Sequence, residues 1–188
     1  MFIELLKKYA NGKVCLYSFC FSMSVYLLMV LYSIPLVSGY APEMMLFDMS
    51  PTGYTYDYAV SLLSQLGTEG RGLYLSLQLP LDLVYPLSFG MSHALIICWL
   101  LVKAGATSPL ASYACLLPVV GCLLDYSENI AIFTMLTNYP SITESIVQLS
   151  SILTISKSVF VTITYLLICG LFVLTAARKM RAKKNEPA

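Results

Sequence analysis

The chain is expected to be an all-α membrane protein: a four-helix transmembrane bundle with a short amphipathic helix in its outer loop. Three features of the amino-acid sequence lead there. Of 188 residues, 58% are hydrophobic and only 11% charged, whereas a soluble domain is about a quarter charged. The apolar residues gather into four long runs, and about 18 or more apolar residues in a row mark a membrane-spanning helix. The basic residues collect at one side of those runs. Too few polar residues remain to cover a surface in water, so the lipid bilayer is the first partner. A net charge of +1 gives no reason to expect nucleic acid.

The first span covers about residues 14–37, "VCLYSFCFSMSVYLLMVLYSIPLV". A secretory signal has an apolar core of about 7 to 15 residues and a small-residue cleavage site. This run is longer, and its one candidate site, "SGYA", is followed directly by Pro42, so an uncleaved anchor is expected. The other spans cover about residues 83–102, 110–136 and 146–177, giving one integral membrane domain over 1–188. Lys7, Lys8 and Lys13 precede the first span, Lys103 sits between the second and third, and Arg178, Lys179, Arg181, Lys183 and Lys184 follow the fourth. Nine of the eleven basic residues thus share one side, which the positive-inside rule makes cytoplasmic, together with both termini. Only Arg71 and Lys157 fall elsewhere, and Glu43, Asp48, Asp57, Glu69 and Glu144 lie in outer segments. The tail "RKMRAKKNEPA" is a topology anchor.

The outer segment 38–82 is too short for a domain with its own core, yet it is patterned. "SPTGYTYDYAVSLLSQLG" has a turn around Pro51 to Gly53, then Ala59, Leu62, Leu63 and Leu66 at helical spacing. Thr55 suits an N-cap and Gly67 a C-terminal stop. A short helix lying on the outer membrane surface or on the bundle is expected. "TEGRGLYLSLQLPLDLVYP" then leads into the second span, with Pro80 bending or restarting the helix.

Several chemistries lack their residues. All six cysteines (Cys15, Cys20, Cys98, Cys115, Cys122 and Cys169) fall in the spans, where small buried hydrophobes are expected. There is no CxxC for thiol exchange, no Cys/His spacing suited to zinc, and no Walker loop, GxSxG or HExxH. Neither a metal nor a cofactor is expected. Trp99 and the tyrosines read as interface and packing residues.

What stands out is polarity at membrane depth, where a charged group faces inward and pairs with something. The candidate layer is Asp82, His93, Asp125, Glu128, Asn129 and Lys157. Counting about 1.5 Å per residue from the cytoplasmic ends puts Asp125 and Glu128 roughly 23 to 27 Å up, and Asp82 and Lys157 about 30 Å up. His93 comes out near the midplane at about 14 Å, on the same face as Asp82. In the third span Pro118, Gly121, Cys122, Asp125, Glu128 and Asn129 form one stripe; in the fourth Ser150, Thr154, Lys157 and Thr164 do so. The two stripes are expected to face each other, with Lys157 offsetting a carboxylate and the acid pair titrating as a unit. One reading makes this layer a strut that holds helix register. Another makes it an outward-facing pocket for a small molecule, lipid headgroup or proton, in a binding or accessory subunit with a membrane-protein partner or a second copy. The alternative is a membrane enzyme acting on a lipid-like substrate, with Asp125 or Glu128 as general acid or base.

"FDMSPTGYTYDYAVSLLSQLGTEGRGLYLSLQLPLDLVYP", followed by "LLDYSENIAIF" and "LTISKSVF", resembles a group of bacterial four-span membrane proteins. That group shares Pro-x-Gly-Tyr, Leu-Gly-x-x-Gly-Arg, Asp-x-x-Tyr/Phe-Pro and Asp-x-x-Glu-Asn. The resemblance covers most of the chain beyond the first span. It implies a multi-pass protein of the bacterial inner membrane and brings no activity with it.

Overall fold

The computed structural model describes residues 2–106 and 108–184. Residues 185–188 of the basic tail, and the side chains of Lys183 and Lys184, lie outside the described residues. Five helices make the fold, with no strand among the described residues: α1 Phe2–Tyr9, α2 Gly12–Ser38, α3 Tyr56–Lys103, α4 Pro109–Asn138 and α5 Glu144–Lys184. The last four are long and apolar enough to cross a membrane.

A short helix at the N-terminus was not anticipated. In α1 the Leu6 side chain is buried in the same apolar cluster as Ile97 and Leu101 of α3, while Lys7 pairs with Glu4 at 2.9 Å on the exposed side. Asn11 then caps α2, its side chain accepting from the Lys13 and Val14 backbone N–H groups. The bundle is not a symmetric square. The central helix is α3, which packs against α2, α4 and α5; α4 also packs along α5, but α2 and α5 make little contact with each other.

The 38–82 segment takes the second of its two expected positions and shares a core with the bundle. Phe47, Leu62, Leu63 and Leu66 cluster with Ile132 and Met135 of α4 and Val147 of α5, so the segment lies on the bundle. The helix that Thr55 caps, by accepting from Tyr58 N–H at 3.3 Å, breaks at Gly67 as expected. Gly67 has φ 61° and ψ −172°, a conformation that glycine reaches without steric cost. The chain then turns straight back into helix, so the span expected from residue 83 belongs to a helix that restarts at the break. Arg71 closes it, donating to Leu63 O at 2.7 Å with its guanidinium 4.7 Å from the Tyr139 ring centroid.

Pro80 does not restart the helix. Proline lacks an N–H and its ring crowds the carbonyl four residues back. Here the turn before it widens instead: Tyr74–Gln78 is π-helical, and Leu79 N–H reaches back five residues to Tyr74 O. The same device precedes Pro35 in α2, where Met29–Ser33 is π-helical and Ile34 N–H bonds Met29 O. Such wide turns absorb a local misfit without breaking the helix.

The Pro51–Gly53 turn seats the connecting segment on α5. Gly53 has φ 79°, and a Cβ there would lie 2.5 Å from Ser151 Oγ. Next to it Tyr54 N–H donates to Ser151 Oγ at 2.9 Å and the Tyr54 hydroxyl to Ser150 Oγ at 2.7 Å. Burial pushes the Tyr54 phenol well above its ordinary range, so it stays a donor. At the opposite, basic end a second apolar cluster joins α1 and α3 with Cys15 of α2, Cys115 of α4 and Leu171 of α5. The polar residues lie between these two apolar clusters.

Candidate functional site

The stripe on α4 faces the stripe on α5. Glu128 has no exposed surface. Its Oε1 accepts from Thr154 Oγ1 at 2.5 Å, and its Oε2 lies 2.5 Å from Lys157 Nζ. The same ammonium is 3.4 Å from Asp125 Oδ1. Lys157 therefore serves both acids, Glu128 more closely. Glu128 and Thr154 sit too deep for solvent to take a partner's place, which is the setting where an unpaired charge is most costly.

Asp82 and Asn129 meet through a backbone gap. Pro86, inside α3, has no N–H to give the carbonyl four residues back, which is that of Asp82. Asn129 Nδ2 fills the gap by donating to Asp82 O at 2.8 Å. One turn earlier on α4, the Tyr126 hydroxyl donates to Leu83 O at 2.7 Å. The Asp-x-x-Tyr-Pro and Asp-x-x-Glu-Asn segments are thus two halves of one joint: the first opens a carbonyl and the second closes it. Since the carbonyl demands a donor, the Asn129 amide is oriented, and its Oδ1 is left buried without a partner.

Four residues absent from the expected layer complete it. Asp48 had been counted among the outer acids. The short 3₁₀ turn Phe47–Met49 carries it against the bundle, where Asp48 Oδ2 accepts from Gln78 Nε2 at 2.9 Å and Oδ1 from the Tyr74 hydroxyl. Gln78 in turn accepts from Ser33 Oγ at 2.6 Å. Ser33 and Gln78 are the last residues of the two π turns, so the proline-driven widening in α2 and α3 meets at one polar link. A glutamine and a serine just ahead of prolines, in apolar spans, were the available signal.

Asp48, Asp82, Asp125 and Lys157 of this network border a cavity of about 260 Å³ walled by all four long helices and roofed by Asp48 and Met49. Asp82, Asp125 and Lys157 reach it from α3, α4 and α5, and Tyr26 and Tyr85 line it from α2 and α3. Asp82 is 3% exposed, and its Oδ2 accepts no hydrogen bond. Among the described residues, no group of three His, Cys, Asp or Glu is arranged to hold a metal ion.

His93 is not brought into this group. Its ring sits in a box formed by Phe89, stacked at 4.0 Å, with Tyr165 and Phe19 edge-on at 5.3 and 5.9 Å. Nδ1 donates to Phe89 O at 2.9 Å, while Nε2 is buried without a partner. No known family model, curated protein or solved structure matches the chain.

Two outcomes follow from the hydrogen bonds. Lys157→Met should destabilise the bundle by about 3 to 5 kcal/mol, the usual cost of stranding a buried charge. Adding Glu128→Gln should restore more of that loss than adding Asp125→Asn, because the closer, wholly buried acid is the one stranded; melting curves in detergent give the cycle, and purely additive losses would mean no pairing. Asn129→Leu should cost about 1 to 3 kcal/mol by leaving Asp82 O unpaired. In a Pro86→Ala background, where residue 86 regains its N–H, the same change should cost distinctly less; equal costs in both backgrounds would show that the amide does not serve that carbonyl.

Proposed function

We propose that this chain is a non-enzymatic membrane protein of the bacterial inner membrane, whose polar cavity binds a small molecule. One observation carries the reading: Asp82, almost wholly buried, lines the cavity, and its carboxylate has an oxygen, Oδ2, that no protein group satisfies. A strut would have its charges met, as Glu128 has through the Thr154 hydroxyl on Oε1 and the Lys157 ammonium 2.5 Å from Oε2, an ion pair without a hydrogen bond. A buried carboxylate left open is costly in an apolar interior unless something else meets it. The acid–base alternative draws less support, because both oxygens of Glu128 are held by Thr154 and Lys157. Asp125 shares the same lysine.

Both termini are assigned to the cytoplasm. The support is the charge distribution: Lys7, Lys8, Lys13, Lys103 and Arg178 belong to one end of the bundle, where Arg178 Nη1 lies within 2.7 Å of the Cβ position of Gly105. The cavity then lies toward the outer leaflet. A reporter fused after Ala188 should be active only in the cytoplasm, and one inserted near Gly67 only outside. The reverse pattern would overturn the orientation.

The binding reading is tested on Asp82, whose carboxyl holds nothing in place. Asp82→Asn preserves its shape, so the melting temperature in detergent should correspond to a change within about 1 kcal/mol, the scale of mild substitutions. The variant should nevertheless fail to complement whatever phenotype deletion of the gene produces. Full complementation by Asp82→Asn and Asp125→Asn would return the layer to a purely structural role.

A further inference from the structure

We infer that the ligand of the cavity is a lipid-soluble organic cation, an amine or quaternary ammonium on an apolar tail and without a phosphate, that enters sideways between α2 and α5. This rests on the small-molecule-binding reading and adds the ligand's charge and route.

The charge follows from the partners. Asp48, Asp82 and Asp125 line the cavity with one ammonium, Lys157, which pairs with Asp125 and with Glu128 behind it. Lys157 is committed first to Glu128 at 2.5 Å and second to Asp125 at 3.4 Å. Asp48 is held only by the neutral donors Tyr74 and Gln78. Asp82, whose Oδ2 accepts no hydrogen bond, forms no ion pair among the described residues. A ligand ammonium supplies the donor and the charge that this wall lacks, whereas a carboxylate or phosphate would face an excess of like charge. Among the described residues no His, Cys, Asp or Glu are grouped for a metal ion. Tyr26 and Tyr85, with ring centroids 5.6 Å apart, border the same space. Aromatic faces beside acids are a recurrent way to hold ammonium groups.

The route follows from the packing. On one side the cavity is bounded by Tyr26, Met29 and Ile34 of α2 and by Val161 and Thr162 of α5, two helices that scarcely touch. The other seams, α2–α3, α3–α4 and α4–α5, are packed. The opening therefore lies in the flank of the bundle, at the level of the spans. With a water molecule occupying about 30 Å³, a volume of about 260 Å³ takes a headgroup and a few carbons. The rest of an alkyl tail would stay in the bilayer.

The test uses the full chain in phosphatidylcholine nanodiscs and four probes of equal chain length: decylamine, decyltrimethylammonium, decanol and decanoate. Empty nanodiscs correct for partitioning. The two cations should raise the melting temperature saturably, and decanol and decanoate should not. Asp82→Asn should weaken cation binding by about tenfold or more, the worth of one charge-assisted contact. Asp57→Asn, an exposed acid outside the cavity, should leave it unchanged. Tyr26→Leu, at the mouth, should weaken it several-fold and serves as a second variant. Decanol or decanoate binding as tightly as decylamine, or cation binding indifferent to both Asp82→Asn and Tyr26→Leu, would overturn the cation while leaving a binding protein. No saturable shift by either cation also overturns it, and the complementation result then decides the broader reading separately. Saturable binding that appears only when phosphatidylethanolamine is added overturns the phosphate-free ligand.

Discussion

The ammonium of Lys157, held between Glu128 and Asp125, is the contact around which the bundle is organised. Apolar surface drives no association between helices that already lie in hydrocarbon, so packing and satisfied polar groups must do it. Lys157 joins α5 to α4 through Glu128 at 2.5 Å and Asp125 at 3.4 Å. Thr154, one turn away on the same face, adds a hydroxyl to the same glutamate. From α4 the connection passes to α3 through Asn129 and Tyr126, and from α3 to α2 through Gln78 and Ser33. All four long helices are thereby linked by polar contacts lying between two apolar clusters.

Proline shapes that layer more than any other residue type. Pro35, Pro80 and Pro86 each remove a backbone donor from a long apolar helix. The first two are met by widened turns whose last residues, Ser33 and Gln78, face each other. The third is met from outside, by the Asn129 amide. A misfit in one helix is thus answered by a side chain on another, which couples helix geometry to helix partner choice.

The layer is also unequal in how fully it is satisfied. Glu128 is met by the Thr154 hydroxyl and the Lys157 ammonium, Asp48 is held by neutral donors, and Asp82, which lines the cavity, has an Oδ2 with neither a hydrogen bond nor an ion pair. Holding register and binding a ligand therefore need not compete. The α4–α5 side carries the first task, and the wall shared by α3, the connecting segment and the α2–α5 seam suits the second.

Much of this was legible from composition and period alone. A helix in lipid needs a long apolar run, and an inward polar face needs spacings of three and four; both are local properties of a chain. Four spans, the opposing stripes of α4 and α5, the meeting of Lys157 with Asp125 and Glu128, and the Thr55 cap could all be counted from the residues. Asp48 could not, because its partners Tyr74 and Gln78 lie 26 and 30 positions away and meet it only when the connection folds back onto the bundle. The immediate return to helix after the break at Gly67 was hidden because a positive-φ glycine marks a break without saying whether helix resumes; here Arg71, reaching back to Leu63 O, ties the two helices together. His93 shows the limit of periodicity: eleven residues from Asp82 keeps the face but moves the ring about 16 Å along the axis. There the neighbours are Phe19, Phe89 and Tyr165, because which side chains surround a group depends on the helices that pack there.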